Sequence, residues 1–567
     1  MLLAGHAALL AYSAACNSAT FDEPAHLAAG VAYWKYHDFT IYDLSPPLVR
    51  LWAAIPAVLA GADSPSTHAA DLAPVLERHW RYADAFVEAN LSRFASLLFI
   101  SRLGMIGISC FAGWMTYRWA GRLYGPRSAM AACAMYCLNP GILANGALVT
   151  TDAATAAAML ASCWLWWRFC RSPSWIRWGL ACLAVLAAHL CKFTALLLWP
   201  MLLVMMLPFI QWRLPRRRWL LPGAWMLLGA ATLVLLNALY GFRGTGRPIG
   251  SFRFDSILMR KVQQSLPAGT PLPLPGLLVE GFDAQKSDTD VGYQGFLFGE
   301  IYRGAKWYFF PGAMLCKLPI AMLLLLAAAA ASKLAPRGTA PPARGAGERS
   351  LFLALAVFAA GVILLGDVNI GTRYLLPAFP LVFILVSRIW SVDRAATAKT
   401  RSLLPYLRDA LLVLLAVETL WVSPRFLTFV NFAVGGPSNG WRLLSDSDYD
   451  WGQGLIDLRN WMNEEQVPSV ALAYFGFVDP RAYGIRFTPF IDPGDARYVA
   501  VSSYFLDGLT NRIEIDPARR EWIGLPFYRE LQTKTPIAVV GHTIFIYSLP
   551  DVESAAKESE MPASPEP

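Results

Sequence analysis

Charge is what this chain has least of. Only 16% of its 567 residues are Asp, Glu, Lys or Arg, while 56% are hydrophobic; a soluble globular chain carries about 25% charge, so the shortfall argues against a soluble protein and for a polytopic membrane protein. Metal- or disulfide-type cysteine spacing is missing too. The nine Cys, at 16, 110, 133, 137, 163, 170, 182, 191 and 316, sit nearly all within apolar runs, with none after residue 316, and read as small apolar packing residues. No internal repeat stands out. The formal charge of +8 comes from short Lys and Arg clusters between apolar spans, which is positive-inside patterning and implies no nucleic acid partner. The acidic run Asp446 to Gln453 lacks the Gly at the sixth place and the acid at the twelfth that a calcium loop needs, and reads as a turn entering a helix.

What is present is a succession of apolar spans. Residues 1 to about 19 are long enough to cross a bilayer, and with no Lys or Arg before them they read as an uncleaved first helix rather than a signal peptide. Further spans are expected at about 93–117, 129–147, 153–167, 178–192, 194–211, 219–240, 311–332, 350–366, 374–390 and 409–427, about eleven in all. Basic joints at 118–127, 168–177, 213–218, 333–349 and 388–408 place one side in the cytoplasm. By parity two long loops, 20–92 and 241–310, and everything after residue 428 lie outside. Within the first loop, Leu48 to Pro56 is too short to span and predicts an interfacial helix with Trp52 and Arg50 at its polar edge. The tail, 428–552, reads as a soluble extracytoplasmic α/β domain: a helical stripe at Leu455 to Glu464, and β-branched or aromatic runs at Val470 to Phe475, Tyr498 to Phe505 and Ile537 to Leu549. Residues 553–567 have the composition of a disordered tail.

In so apolar a chain the acids on the outer face are the candidate chemistry. Asp22 and Glu23, followed by His26, open the first external loop, and a carboxylate there suits a general base on an acceptor hydroxyl. Glu23 and His26 are three residues apart, so a divalent metal, if one is used, would fall to them; the alternative reading of Asp22 before Pro24 is a helix N-cap. Asp152, after Thr150 and Thr151, begins a span on the same face, where an acid is costly unless paired or facing a cavity. Outer-face cations are few. Lys192, Arg243 and Arg373 are the candidates for gripping a phosphate, with His26, Glu300 and Tyr374 as candidate substrate contacts.

These residues carry a resemblance. Phe21-Asp22-Glu23-Pro24-Ala25-His26, Pro46-Pro47-Leu48, Thr150-Thr151-Asp152, Lys192-Phe193-Thr194, Lys317-Leu318-Pro319 and Gly371-Thr372-Arg373-Tyr374 resemble the GT-C glycosyltransferases, and within that fold the family 39 type, the protein O-mannosyltransferase and aminoarabinose transferase superfamily of bacterial, phospholipid-carrier-dependent enzymes. In the tail, Asp450-Trp451-Gly452-Gln453 and Gly435-Gly436-Pro437 resemble a subset of that group. The resemblance implies a transferase of the bacterial inner membrane, taking a sugar from a polyprenyl-phosphate donor and inverting the anomeric carbon, with a glycolipid, polysaccharide or protein as acceptor. It implies Asp22 as base, with Glu23 beside it and Asp152 as the second acid, and Arg373 and Lys192 near the lipid phosphate. Ser45 stands where relatives often carry His before Pro-Pro. Monophosphate-donor relatives do not uniformly need a metal, so the resemblance fixes no cofactor and leaves a divalent metal as the one possible.

The competing reading from another class is a polytopic transporter or flippase, with Asp22, Asp152 and Arg373 lining a path. That reading expects paired repeats and acids near the bilayer midplane. Here the acids sit at outer helix ends and in a loop.

Overall fold

The computed structural model describes the chain except for residues 67–74, 211–218, 291, 335–341, 367, 392–402, 491–494, 510, 517–518, 524–530 and 553–567. The expected disordered tail, the basic joint 213–218 and parts of those at 333–349 and 388–408 therefore lie outside the described residues.

Every expected apolar span is helical, but proline cuts several of them. The run expected at 129–147 is two helices, Pro126–Cys137 and Pro140–Asn145, because Pro140 cannot continue the first; Asn139 caps the second, accepting from Ile142 N at 3.1 Å. The run expected at 311–332 is Phe309–Lys317 followed by Ile320–Ala331, bent by 114° at Leu318-Pro319. Among the described residues three helices are long and apolar enough to cross a membrane, Phe94–Tyr124, Leu220–Leu239 and Gly345–Leu364, or up to four if the bent pair is one span. Leu2–Cys16, Trp175–Cys191, Phe193–Phe209 and Ala378–Ser391 are apolar but shorter, so length alone does not give the expected eleven. The core between Phe94–Tyr124, Pro126–Cys137 and Thr151–Arg171 closes around the buried indoles of Trp119, Trp166 and Trp167, and all nine cysteines are free thiols.

The first loop folds into helices packed on the bundle. We label Glu23–Tyr36 α1 and Leu48–Leu59 α2. Asp22 stands at the N-cap of α1 with Pro24 in its first turn, a position where the missing N–H costs nothing. Every residue of α1 from Glu23 to Tyr33 is buried, which makes it a core helix rather than a surface one. It meets α2 at Gly30, where a Cβ would lie 2.3 Å from Arg50 O. Gly30→Ala is therefore expected to destabilise the protein by about 1–3 kcal/mol, the usual cost of overpacking, measurable as a lowered unfolding midpoint. Arg50 corrects an expectation. Instead of marking a polar edge it is buried, its guanidinium 4.2 Å from the Tyr42 ring centroid and donating to Ser45 Oγ at 2.6 Å, while Trp52 alone keeps the exposed side.

In the second loop Ile257–Ser265, Gly276–Asp290 and a hairpin of β1 (Gln294–Leu297) and β2 (Glu300–Arg303) precede the bent pair. The tail holds β3 (Val470–Ala473), β4 (Phe487–Pro489), β5 (Tyr498–Ser502), the hairpin β6 (Asn511–Asp516) and β7 (Arg519–Ile523), β8 (Ala538–Val540) and β9 (Ile544–Ser548). Five of them form one mixed sheet in the order β4-β3-β5-β9-β8, parallel at β4-β3-β5 and antiparallel beyond. The helix Leu455–Glu464 falls where its stripe put it. The run 537–549 is a hairpin turning at Gly541-His542 rather than one strand, and 498–505 leaves the sheet after Ser502 to become the short helix Ser503–Leu506. This tail is stitched to the start of the chain: Ser18 N donates to Gln453 O at 3.1 Å and Phe21 N to Trp451 O at 2.8 Å, and Leu455 N donates to Ser18 Oγ at 3.0 Å.

Candidate active site

Four charged side chains expected from the sequence meet at helix ends. Asp22 makes no capping bond to its own helix; its Oδ2 instead accepts from Arg373 Nη1 at 2.8 Å. The same Nη1 lies 3.8 Å from Asp152 Oδ2, and Asp152 Oδ1 accepts from Lys192 Nζ at 2.6 Å. Asp152 sits in the first turn of the helix Thr151–Arg171, and Lys192 is the C-cap of Trp175–Cys191, so each charge is placed by the point where a helix stops. Tyr374 closes the group, with Lys192 Nζ 4.8 Å from its ring centroid and the Arg373 guanidinium 5.5 Å away. The result is a line of alternating sign, Asp22, Arg373, Asp152, Lys192, buried except at Asp22, whose side chain is 27% exposed. Arg373 is not saturated: its Nε is buried without a partner, a donor the protein itself leaves unused.

Glu23, next to Asp22, points the other way and is fully engaged. Its Oε1 accepts from Arg102 Nε at 2.9 Å and Val149 N at 2.9 Å. Its Oε2 accepts from Arg102 Nη2 at 2.5 Å, Thr20 N at 2.9 Å and Thr20 Oγ1 at 3.0 Å. Burial alone would raise its pKa, but the Arg102 charge and these bonds overcome that and hold the carboxyl below its ordinary value. Arg102 also donates to the carbonyls of Ala14, Asn17 and Ser18, locking the turn that leads into α1. His26 is buried against Tyr42, ring centroids 4.9 Å apart, with Nδ1 unpartnered; burial and then the surrounding cations, Arg50 foremost, push its pKa well below the ordinary imidazole value. Glu23 and His26 do not make a metal pair, because every Glu23 oxygen is held by a guanidinium and N–H or O–H donors. Among the described residues no three His, Cys, Asp or Glu side chains gather as metal ligands.

Two expected contacts stand apart. Arg243 is exposed on the turn after Leu220–Leu239, and Glu300 is exposed at the start of β2, paired in register with Leu297. Neither joins the charge line.

The sequence reading missed what the tail brings. Trp451 lies under Arg373, 4.1 Å from guanidinium to ring centroid. Asp448 Oδ1 accepts from Thr372 N at 2.8 Å and Thr372 Oγ1 at 2.6 Å, Lys317 Nζ donates to Asp448 O at 2.7 Å, and Ser447 Oγ donates to Ile370 O at 2.7 Å. Gly371 is required there, since a Cβ would lie 2.1 Å from Ser447 Oγ. The available signal was three acids, at 446, 448 and 450, beside a tryptophan.

Comparison with known proteins bears out the resemblance. Residues 92–240 match the family model described as dolichyl-phosphate-mannose-protein mannosyltransferase, a stretch that contains Asp152 and Lys192 but neither Asp22 nor Arg373. No curated protein matches the sequence. Similar solved structures include ArnT from Cupriavidus metallidurans bound to undecaprenyl phosphate, at 11% identity and a TM-score of 0.46 over 93% of this chain and 98% of that one. Its apo state gives 10% identity and 0.47 over 99% and 98%. The oligosaccharyltransferase AglB from Archaeoglobus fulgidus, in complex with an inhibitory peptide and a dolichol-phosphate, gives 10% and 0.40 over 95% and 75%.

Proposed function

We propose that this protein is an inverting glycosyltransferase that moves a sugar from a polyprenyl-phosphate donor to an acceptor hydroxyl on the outer face of the bacterial inner membrane. The observation that carries the reading is the charge line, with its exposed carboxylate at one end and an unsaturated guanidinium beside it. Inverting transfer from a lipid phosphate needs one base and one cationic grip on the leaving group. Asp22, the partly exposed member, takes the proton of the acceptor hydroxyl as that oxygen attacks the anomeric carbon on the face opposite the phosphate. The bonding pair of the broken C–O bond leaves with the phosphate. Arg373, through its free Nε edge, and Lys192 receive that charge, while Asp152 keeps both cations in place. Membrane lipids surround the apolar helices, and the acceptor is a glycolipid, polysaccharide or protein.

The test is a transfer assay with purified protein, with and without chelator, using radiolabelled polyprenyl-phosphate sugars and a total lipid and protein extract. Label passing to an acceptor supports the reading; donors left intact while liposome flux is seen would replace it with the transporter. Arg373→Lys is expected to raise the donor KM about 10-fold or more, as loss of a charge-assisted fork costs about 1.5–3 kcal/mol, and to leave the acceptor KM within about two-fold. An unchanged donor KM would remove Arg373 from the phosphate site.

A further inference from the structure

A cavity apart from the charge line lies where the helix Leu404–Val422 hands the chain to the tail. It measures about 190 Å³, well beyond the ~15 Å³ that admits one water. Its wall comes from four stretches: Trp421 at the helix end, Arg425 in the connection, Gly435-Gly436 and Ser438 at the start of the tail, and His542 in the turn between β8 and β9. Both glycines are left-handed, with φ of 101° and 68°, a region other residues seldom enter. They shape their part of the wall without side chains.

The open polar groups here can all donate. Arg425 turns Nε and Nη2 to Asp457, the Nε bond being 2.8 Å long. Among the described residues Arg425 Nη1, the Ser438 hydroxyl and the His542 ring have no hydrogen-bond partner. No carboxylate lines the cavity, since Asp457 gives both oxygens to Arg425 from behind. Burial, and then the Arg425 charge, hold the His542 pKa below its ordinary value, so the neutral ring offers one N–H.

The rest of the setting is apolar. Tyr406, Val413, Val417, Leu420 and Trp421 are exposed on the helix, at the spacing of a single stripe, and in a membrane protein such a stripe meets lipid. The stripe ends at Trp421, which stands edge-on to the exposed Phe432, ring centroids 6.1 Å apart and planes at 84°. Tryptophan at the end of a lipid-facing stripe marks the headgroup level. The cavity thus combines donors with the depth at which lipid phosphates lie.

We propose that this cavity binds the headgroup of an anionic glycerophospholipid, with Arg425 Nη1, Ser438 Oγ and His542 donating to the phosphate and the acyl chains lying along the stripe past Trp421. Arginine holds phosphate through charge-assisted bonds, whereas a choline or amine would meet a cation with no open carboxylate to balance it. Because the wall joins the helix end, the connection, the start of the tail and the β8–β9 turn, the lipid braces the tail against the bundle. The site goes beyond sugar transfer, its ligand being a resident and not a substrate.

The experiment adds phosphatidylglycerol, phosphatidylcholine or inorganic phosphate to the delipidated full chain in detergent. Native mass spectrometry counts bound lipid while a thermal scan follows unfolding. Expected is one phosphatidylglycerol held about 10-fold more tightly than phosphatidylcholine, with a raised unfolding midpoint and no rise with inorganic phosphate. Two variants locate the effect: Ser438→Glu sets a carboxylate against the phosphate, and Trp421→Ala removes the aromatic edge. Both side chains are exposed, so the midpoint without lipid should stay at the wild-type value, while each variant lowers phosphatidylglycerol affinity about 10-fold. Equal binding of the two lipids, or wild-type affinity in both variants, would overturn the proposal. Stabilisation by inorganic phosphate equal to that by phosphatidylglycerol would overturn the lipid assignment in favour of a free anion.

Discussion

Replacing Asp22 with Asn is expected to cut transfer about 100-fold or more, the scale of losing a general base, while the protein still folds and inserts. The second half of that statement comes from the structure. Asp22 makes no capping bond to α1, its side chain is 27% exposed, and Arg373 would keep Asp152 within 3.8 Å. The guanidinium is buried, but Asp152 stays beside it, so the loss of Asp22 does not strand its charge. Rates measured beside an unfolding curve check both halves: full activity would remove Asp22 from the mechanism, and an unfolded variant would show that its carboxylate is structural.

Glu23→Gln should do the reverse. Its carboxylate is fully buried and meets a guanidinium that is itself 2% exposed, so the amide leaves Arg102 as an uncompensated buried charge. Breaking such a pair costs about 3–5 kcal/mol, and the expected result is a sharp fall in unfolding midpoint or in yield of folded protein. The double variant Glu23→Gln with Arg102→Met removes the stranded charge and should recover part of the loss. If Glu23→Gln is as stable as wild type but inactive, Glu23 belongs to the chemistry. Two adjacent acids are thus assigned opposite work, and the pair of variants separates them.

That division was not legible in the sequence. Asp22 and Glu23 look alike in a string of letters, and spacing offered His26 as a partner for Glu23; the true partner, Arg102, is 79 positions away. The line of Asp22, Arg373, Asp152 and Lys192 could be assembled because each lies at the end of an apolar span, and apolar spans are the strongest signal in a membrane chain. Arg243 lies at such an end too, yet stays outside, since the length of an apolar run fixes where a helix ends and not which way the next turn leads. Proline was the other weakness. Asn139-Pro140 and Leu318-Pro319 divide runs that hydropathy alone counts as single spans. Asp446 and Asp448 were passed over because their surroundings come from residues some 75 positions earlier, at Ile370 and Thr372.

The stitching of Ser18 and Phe21 to Gln453 and Trp451 sets an order of events during synthesis. The ribosome makes Asp22 more than four hundred residues before Trp451, so helices can enter the membrane and Glu23 can find Arg102 long before the guanidinium of Arg373 receives its indole floor. Loop closure over such a separation is slow compared with local helix formation. A nascent chain therefore carries its carboxylate in place but not its finished pocket, and competence waits until the later segment folds back onto the first helices.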